Sequence, residues 1–287
     1  MSAVLIDGRE LANEIDSGLA SEVKELPSKP LLAVVLAGDN PASKVYVKMK
    51  TKRANACGID VLDFSYPDDI AAEELKTEIR KIATGERGGR IPTGILVQLP
   101  LPKHMHADDV LQAVPPEMDV DGLLPLSQGM MFQGHDTFLP CTPYGVLKLI
   151  DRANLMLGRD ASLAGKKAVV LGRSLIVGKP AGMLLLKRDC TVTFCHSRTK
   201  NLQEECRQAD ILVAAIGRER MVTAQYVKPG AIVIDVGINR TTEGRIVGDV
   251  DFDSVSQIAG AITPVPGGVG PMTIAMLLSN IVKAAKL

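Results

Sequence analysis

Tryptophan is absent from the chain, and aromatic residues make up only 3% of its 287 positions. Stacking platforms for single-stranded nucleic acid are built from such rings, so that class of partner is not expected. Neither sign of charge is in excess: Lys plus Arg is 33 and Asp plus Glu is 33. A surface-wide basic footprint for nucleic acid is therefore missing. No apolar run reaches the roughly 18 residues of a bilayer-spanning helix. The opening MSAVLIDGRELANEID lacks a basic stretch leading into an apolar one, so it does not read as a secretion signal. Cysteine is sparse as well. Cys57, Cys141, Cys190, Cys195 and Cys206 are odd in number, scattered and without a C-x-x-C, which argues against a disulfide framework or a zinc knuckle. His104 and His106 lie two apart, but no third ligand stands at a readable spacing, so no metal is expected. These absences point to a protein of a reducing, cytoplasmic compartment, with no membrane and no nucleic acid as partner.

What is present is an alternation of helix and strand. Leu11, Ile15, Leu19, Val23 and Leu26 share one helical face. LLAVVL (31–36) is a β-branched apolar run of the kind buried in a parallel sheet. Asn40 and Pro41 then offer a cap and a first helical position for a basic helix over about 42–57, closed by Gly58. Ala71, Leu75, Ile79 and Ile82 mark another helix, and TGILVQL (93–99) the next strand. A second alternation follows, with strands at 166–172, 191–196, 211–217 and 231–237 and a last helix starting at Pro271. Lys283 and Lys286 read as its solvated side. The fold class is α/β with mostly parallel sheets, in two α/β domains with a cleft between them. The boundary is placed at the loop around Pro140: 1–139 forms the first domain, 140–270 a Rossmann-like second, and the helix 271–287 packs back on the first.

GRSLIVGKP (172–180) joins a strand to a helix. Gly172 and Gly178 would let backbone N–H groups approach a phosphate at the helix start. Ser174 stands where the usual dinucleotide fingerprint has its second glycine, so a tight connection without ligand remains open on pattern alone. The next strand runs into His196, Ser197 and Arg198, with no acid at its end to hold a ribose hydroxyl. Arg198, Ser197 and Arg173 suit a 2′-phosphate, which favours NADP.

Tyr46 and Lys50 stand four apart in the basic helix, so their side chains can meet. Alone, such a pair is ordinary. Gln98 adds weight, because it ends a buried strand, where ligands of open α/β sheets bind. Asp119 and Asp121 alternate in DVDG, so one faces a site and the other caps a turn. A loop-capping role fits Asp235 as well as a functional one.

The segments YVKMK, GILVQLPLP, DVDG, PCTP, GRSLIVGKP, AIVIDVGIN and ITPVPGGVGPMT occur here in one order. In that order they resemble the bifunctional methylenetetrahydrofolate dehydrogenase/cyclohydrolase family, over nearly the whole chain. The resemblance implies a folate-binding first domain, an NADP-binding second domain and a homodimer acting on tetrahydrofolate derivatives in one-carbon metabolism. It makes Lys50 the catalytic acid/base, Tyr46 a group that stacks on or orients the pterin, Gln98 the contact that tunes the lysine, and Asp121 the pterin-binding carboxylate. Gly268 and Pro271 would line the folate pocket. Gly172, Arg173, Ser174, Gly178, Ser197 and Arg198 match the cofactor-phosphate region, and Thr142 and Ile238 lie toward the nicotinamide. Lysine titrates near 10.4 in water, so service as a base near neutrality calls for about 4 kcal/mol against its charged form. Another NADP-dependent Rossmann-type dehydrogenase without cyclohydrolase activity would share GRSLIVGKP but would not need VQLPLP or DVDG. A non-catalytic nucleotide-binding regulator would not need Lys50.

Overall fold

A computed structural model describes residues 2–287. The chain opens with β1 (Val4–Leu5) and α1 (Gly8–Lys24). There follow β2 (Leu31–Ala37), α2 (Pro41–Ala56), β3 (Asp60–Tyr66), α3 (Ala72–Ala83), β4 (Gly94–Val97), α4 (Ala107–Leu111) and α5 (Pro125–Phe132). After α6 (Cys141–Met156) come β5 (Lys167–Leu171), α7 (Gly178–Leu186), β6 (Thr191–Cys195), α8 (Leu202–Arg207), β7 (Ile211–Ala214) and β8 (Ile232–Asp235). The hairpin β9 (Asn239–Arg240) and β10 (Ile246–Val247), then α9 (Phe252–Val255), β11 (Ala261–Ile262) and α10 (Val269–Ala284), complete it. The chain forms two compact units, each discontinuous. One joins the segment up to Asn13 to Pro140–Met276; the other joins Glu14–Leu139 to Leu277–Leu287.

The second of these units is built on a three-stranded parallel sheet in the order β3-β2-β4. β2 and β4 are buried at every residue, as their unbroken apolar runs require. β3 is an edge strand whose residues are only half-buried or exposed, and its DVLDFSY was not read as a strand because Asp60, Asp63 and Ser65 interrupt the apolar pattern. α3 places Leu75, Ile79 and Ile82 in the core with Val35, Ile95 and Val97. α2 starts as its sequence dictates: Asn40 Oδ1 accepts from the N–H groups of Ala42 at 2.9 Å and Ser43 at 3.3 Å, with Pro41 at the first position. The end of α10 is pinned here too. Asn280 Nδ2 donates to the carbonyls of Val120 at 2.8 Å and Leu139 at 2.9 Å. Lys283 pairs with Asp136 and Lys286 with Glu22, so these lysines are anchored rather than merely solvated.

The other unit holds a six-stranded parallel sheet in the order β1-β11-β8-β7-β5-β6. β5 lies between β6 and β7, so successive connections leave it in opposite directions and open a crevice at the strand carboxyl ends. Val169, Leu171, Leu212, Val233 and Ile262 form part of its core. Two boundaries differ from the sequence reading. The segment up to Asn13 belongs to this unit and not to the first domain, because Val4 pairs with Ala261 and Leu5 with Ile262. A strand of two residues has no period to read. The last helix begins at Val269, ahead of Pro271, since proline fits the first turn of a helix as well as its first residue.

Candidate active site

α2 carries one buried charge. Lys50 is 7% exposed, although its helix is otherwise rich in exposed lysines. Its Nζ donates to Gln98 Oε1 at 2.9 Å. Gln98 follows directly on β4 and is 8% exposed. Its own amide is oriented from the far side, because Nε2 donates to the Leu99 carbonyl at 2.5 Å, which leaves Oε1 to face the lysine. Tyr46, one turn before Lys50, is half-buried, and burial holds its phenol above the ordinary value. A buried amine on a rigid helix, beside an oriented amide acceptor, can hold or pass a proton at a fixed point.

One residue of this face was missed by sequence reasoning. Ser43 is 3% exposed, and its Oγ has no hydrogen bond among the described residues. It stands three residues before Tyr46 and seven before Lys50, so the 43–46–50 spacing on one face was the available signal. A hydroxyl buried without a partner costs free energy.

DVDG divides, but through a turn and not through the alternation of an extended segment: Gly122 N donates to the Asp119 carbonyl at 2.9 Å, and Gly122 is left-handed at φ 68°. Asp119 is buried and accepts from Leu123 N at 3.1 Å, Leu124 N at 2.9 Å and Ser127 Oγ at 2.6 Å. It caps the turn into α5, and burial pushes its carboxyl up to about 6. Asp121 is half-buried and takes no part in that cap. Gly268 and Pro271 belong to the six-stranded unit. Gly268 has a packing reason of its own: a Cβ there would lie 2.7 Å from the Pro264 carbonyl oxygen, and one on Gly8 would lie 1.9 Å from the oxygen of Gly268.

At the strand ends of the six-stranded unit the glycine loop is cut to fit. A Cβ on Gly172 would come within 2.2 Å of the Ala215 carbonyl oxygen, and one on Gly178 within 2.5 Å of the Gly172 oxygen. Ser174 Oγ accepts from the N–H groups of Val177 and Gly178, both at 3.2 Å, and so shapes the start of α7. Gly172 N donates to the Cys195 carbonyl at 2.9 Å, so the turns carrying Arg173 and Arg198 hang from adjoining strand ends. Arg173, Ser197 and Arg198 are exposed there. The 196–199 turn is held by His196 N donating to Thr199 Oγ1 at 2.9 Å and Arg198 N to His196 Nδ1 at 3.2 Å. Ile238, after β8, is 55% exposed, an uncommon state for so large an apolar side chain. Thr142 is engaged with Thr273, hydroxyl to hydroxyl, at 3.0 Å. A backbone cradle at a helix start, two cations and no terminal acid fit a phosphorylated dinucleotide.

The catalytic-domain model of tetrahydrofolate dehydrogenase/cyclohydrolase matches residues 6–121, and the NAD(P)-binding-domain model of the same enzymes matches 140–287. The chain belongs to this family. It is 50% identical to a bifunctional protein FolD of Bacillus cereus, over 100% of this chain and 98% of that one. Among solved structures it is similar to the FolD enzyme of Campylobacter jejuni, with 45% identity, a TM-score of 0.92 and 99% of both chains covered. It is also similar to the Trypanosoma brucei enzyme solved with NADP cofactor and inhibitor, with 36% identity, a TM-score of 0.90, and 100% of this chain and 98% of that chain covered. Lys50 and Gln98 both lie within the residues matched by the catalytic-domain model.

The cap made by Asp119 can be tested by pH. A carboxyl raised from 3.8 to about 6 makes the folded state bind more protons than the unfolded one between those values. Stability therefore falls as pH rises through that window, by up to about 1.4 kcal/mol per pH unit for one group. Asp119→Asn should remove that component, leaving a shallower decline between pH 4 and 6 in denaturant titrations, together with a lower midpoint from the damaged cap. An identical pH profile for Asp119→Asn and the parent would refute the assignment.

Proposed function

We infer that the chain is a bifunctional NADP-dependent enzyme. It oxidises 5,10-methylenetetrahydrofolate to the methenyl compound and hydrolyses that compound to 10-formyltetrahydrofolate. The observation that carries this reading is the buried Lys50–Gln98 hydrogen bond of 2.9 Å in a chain that matches both domains of the family. NADP⁺, when bound, supplies a hydride acceptor for the methylene carbon. Arg173, Ser197 and Arg198 would hold its 2′-phosphate, the Gly172–Gly178 loop its diphosphate, and Ile238 and Thr142 would lie toward its nicotinamide. The Trypanosoma brucei relative solved with NADP supports that choice.

The hydrolytic half falls to this chain's own side chains. Water adds to the methenyl carbon as its proton passes to the Lys50 amine. The bond from that carbon to N5 then breaks as the formyl carbonyl forms, the proton held by Lys50 going to the departing nitrogen and the remaining hydroxyl proton leaving to solvent. Gln98 holds the amine at one point throughout, and Tyr46 orients the pterin side. Asp121 would accept two donors of the pterin ring, a pairing stronger than a neutral one. A dehydrogenase without cyclohydrolase activity has no use for a buried lysine held this way, and nothing in the site favours that reading. The chain's expected form is a homodimer of the cytoplasm. In support of the dimer, β3 is an edge strand of its sheet, and an exposed edge is a template for a second copy. Among the described residues no helix is long and apolar enough to cross a membrane.

A two-step absorbance assay tests the whole reading: methenyltetrahydrofolate should appear when methylenetetrahydrofolate and NADP⁺ are supplied, and should decay faster with enzyme than without. Lys50→Met keeps the apolar stem and removes the amine. Its hydrolysis of methenyltetrahydrofolate should drop by about 10²–10⁴-fold; near-normal hydrolysis would take Lys50 out of its role.

For the cofactor, the parent should prefer NADP⁺ over NAD⁺. Arg198→Ala should erode that preference by tenfold or more, the loss of one charge-assisted hydrogen bond of about 1.5–3 kcal/mol. Equal efficiency with both cofactors in the parent would overturn the phosphate assignment.

A further inference from the structure

Asp249 is 0% exposed, and no cation is among its hydrogen-bond partners. Its Oδ2 accepts from the backbone N–H groups of Ile216 at 2.7 Å and Gly217 at 3.0 Å. Its Oδ1 accepts from Arg218 N at 2.8 Å and from Asn239 Nδ2 at 2.9 Å. Three successive N–H groups converging on one point form a concavity for an anion, and here the chain fills it with its own carboxylate. Asp235 fixes that carboxylate in turn. Its Oδ1 accepts from Asp249 N and Gly237 N, both at 2.9 Å, and its Oδ2 from Val250 N at 2.9 Å. The glycines around the pair leave no room for anything else. A Cβ on Gly237 would lie 2.3 Å from Asp249 Oδ1, and one on Gly248 would lie 1.8 Å from Asp235 Oδ2.

The segments tied together are those that follow β7 and β8, at the carboxyl ends where such sheets bind their ligands. Ile216 donates to Asp249 directly. Ile238, exposed, sits between Gly237, which donates to Asp235, and Asn239, which donates to Asp249. We propose that Asp249, seated by Asp235, is a positioning residue for hydride transfer: it locks the post-β7 and post-β8 turns into the platform on which the nicotinamide half of the dinucleotide rests. The proposal rests on the NADP-dependent reading above. Hydride transfer is mainly a matter of placement, and a misplacement of about 1 Å can cost 10²-fold. The cyclohydrolase half needs no such platform.

Asp249→Asn tests this, because one acceptor oxygen becomes a donor facing N–H groups. In the apo protein, amide exchange at 216–218 should quicken by tenfold or more. Dehydrogenase kcat should fall at least tenfold, and the isotope effect with methylene-deuterated substrate should rise as the chemical step becomes limiting. Hydrolysis of added methenyltetrahydrofolate should stay within twofold, and NADP⁺ affinity by calorimetry within about threefold. A merely structural role would lower both activities together through loss of folded enzyme, and that result would overturn the proposal, as would an unchanged dehydrogenase kcat. Should Asp249→Asn fail to fold, Asn239→Ala decides, since it leaves the carboxylate its backbone donors. It should lower dehydrogenase kcat about three- to tenfold with hydrolysis intact, and parental kcat there would overturn the proposal. Absence of NADP-linked oxidation in the parent would instead refute the proposed function, while the apo exchange result would still report on the clamp.

Discussion

Lysine is among the costliest side chains to take out of water, and the three-stranded unit is arranged around one such residue. Lys50 lies mid-helix in α2, so its amine reaches a fixed place only if the helix itself is fixed. Asn40 and Pro41 set its start, and the left-handed Gly58, at φ 84°, turns the chain just past its end. The acceptor comes from a different element, at the end of β4, whose four residues are buried and leave it no freedom to shift. Gln98 then needs its amide turned the right way, and the Leu99 carbonyl does that. Each link is an ordinary folding device. Together they hold a protonatable nitrogen near an oriented dipole, which is what proton transfer to a bound substrate asks of a protein.

The six-stranded unit solves a different problem with the opposite material. The edge proposed to bind the dinucleotide is made of backbone, and backbone turns at strand ends are the least restrained parts of an α/β fold. Glycines at 172 and 178 allow the close approach, while Ser174 takes up two N–H groups at the helix start. Farther along the edge, two buried carboxylates replace what a cation would do elsewhere. Asp235 is raised to about 6 by burial and by its neighbour Asp249, so the arrangement carries an electrostatic cost. Seven donors to the pair, six of them backbone N–H groups, offset it.

What could be read in the sequence follows from how local each cause is. β2 and β4 were legible because a strand buried on both faces is an unbroken apolar run, and α2 because its cap and stop are adjacent residues. Gln98 was legible because a polar residue closing such a run is out of place in a core. Asp119 and Asp121 differ in burial because 119–122 is a turn, closed by Gly122 N on the Asp119 carbonyl, and not through the alternation expected of an extended segment. β3 was not legible, since an edge strand with one wet face mixes Asp60 and Asp63 into its pattern. The partners of Asp249 lie 10 to 33 residues away, and no local pattern encodes them. Ser43 lay in plain view on the Tyr46–Lys50 face, but a serine near a helix start is ordinarily explained by capping, and here Asn40 already does that.

The ends of the chain were the other blind spot, and their placement bears on how the units can form. β1 supplies the outer strand of the six-stranded sheet, beyond β11. The last residues of α10 supply Asn280, whose amide satisfies two carbonyls of the three-stranded unit. Each unit therefore takes a piece from the far end of the sequence. A fragment ending at Leu139 would lack the Asn280 donor to the Val120 and Leu139 carbonyls. A fragment starting at Pro140 would expose the edge of β11, a two-residue strand with β8 as its other neighbour. Neither 1–139 nor 140–287 therefore contains all of the unit that it mainly forms.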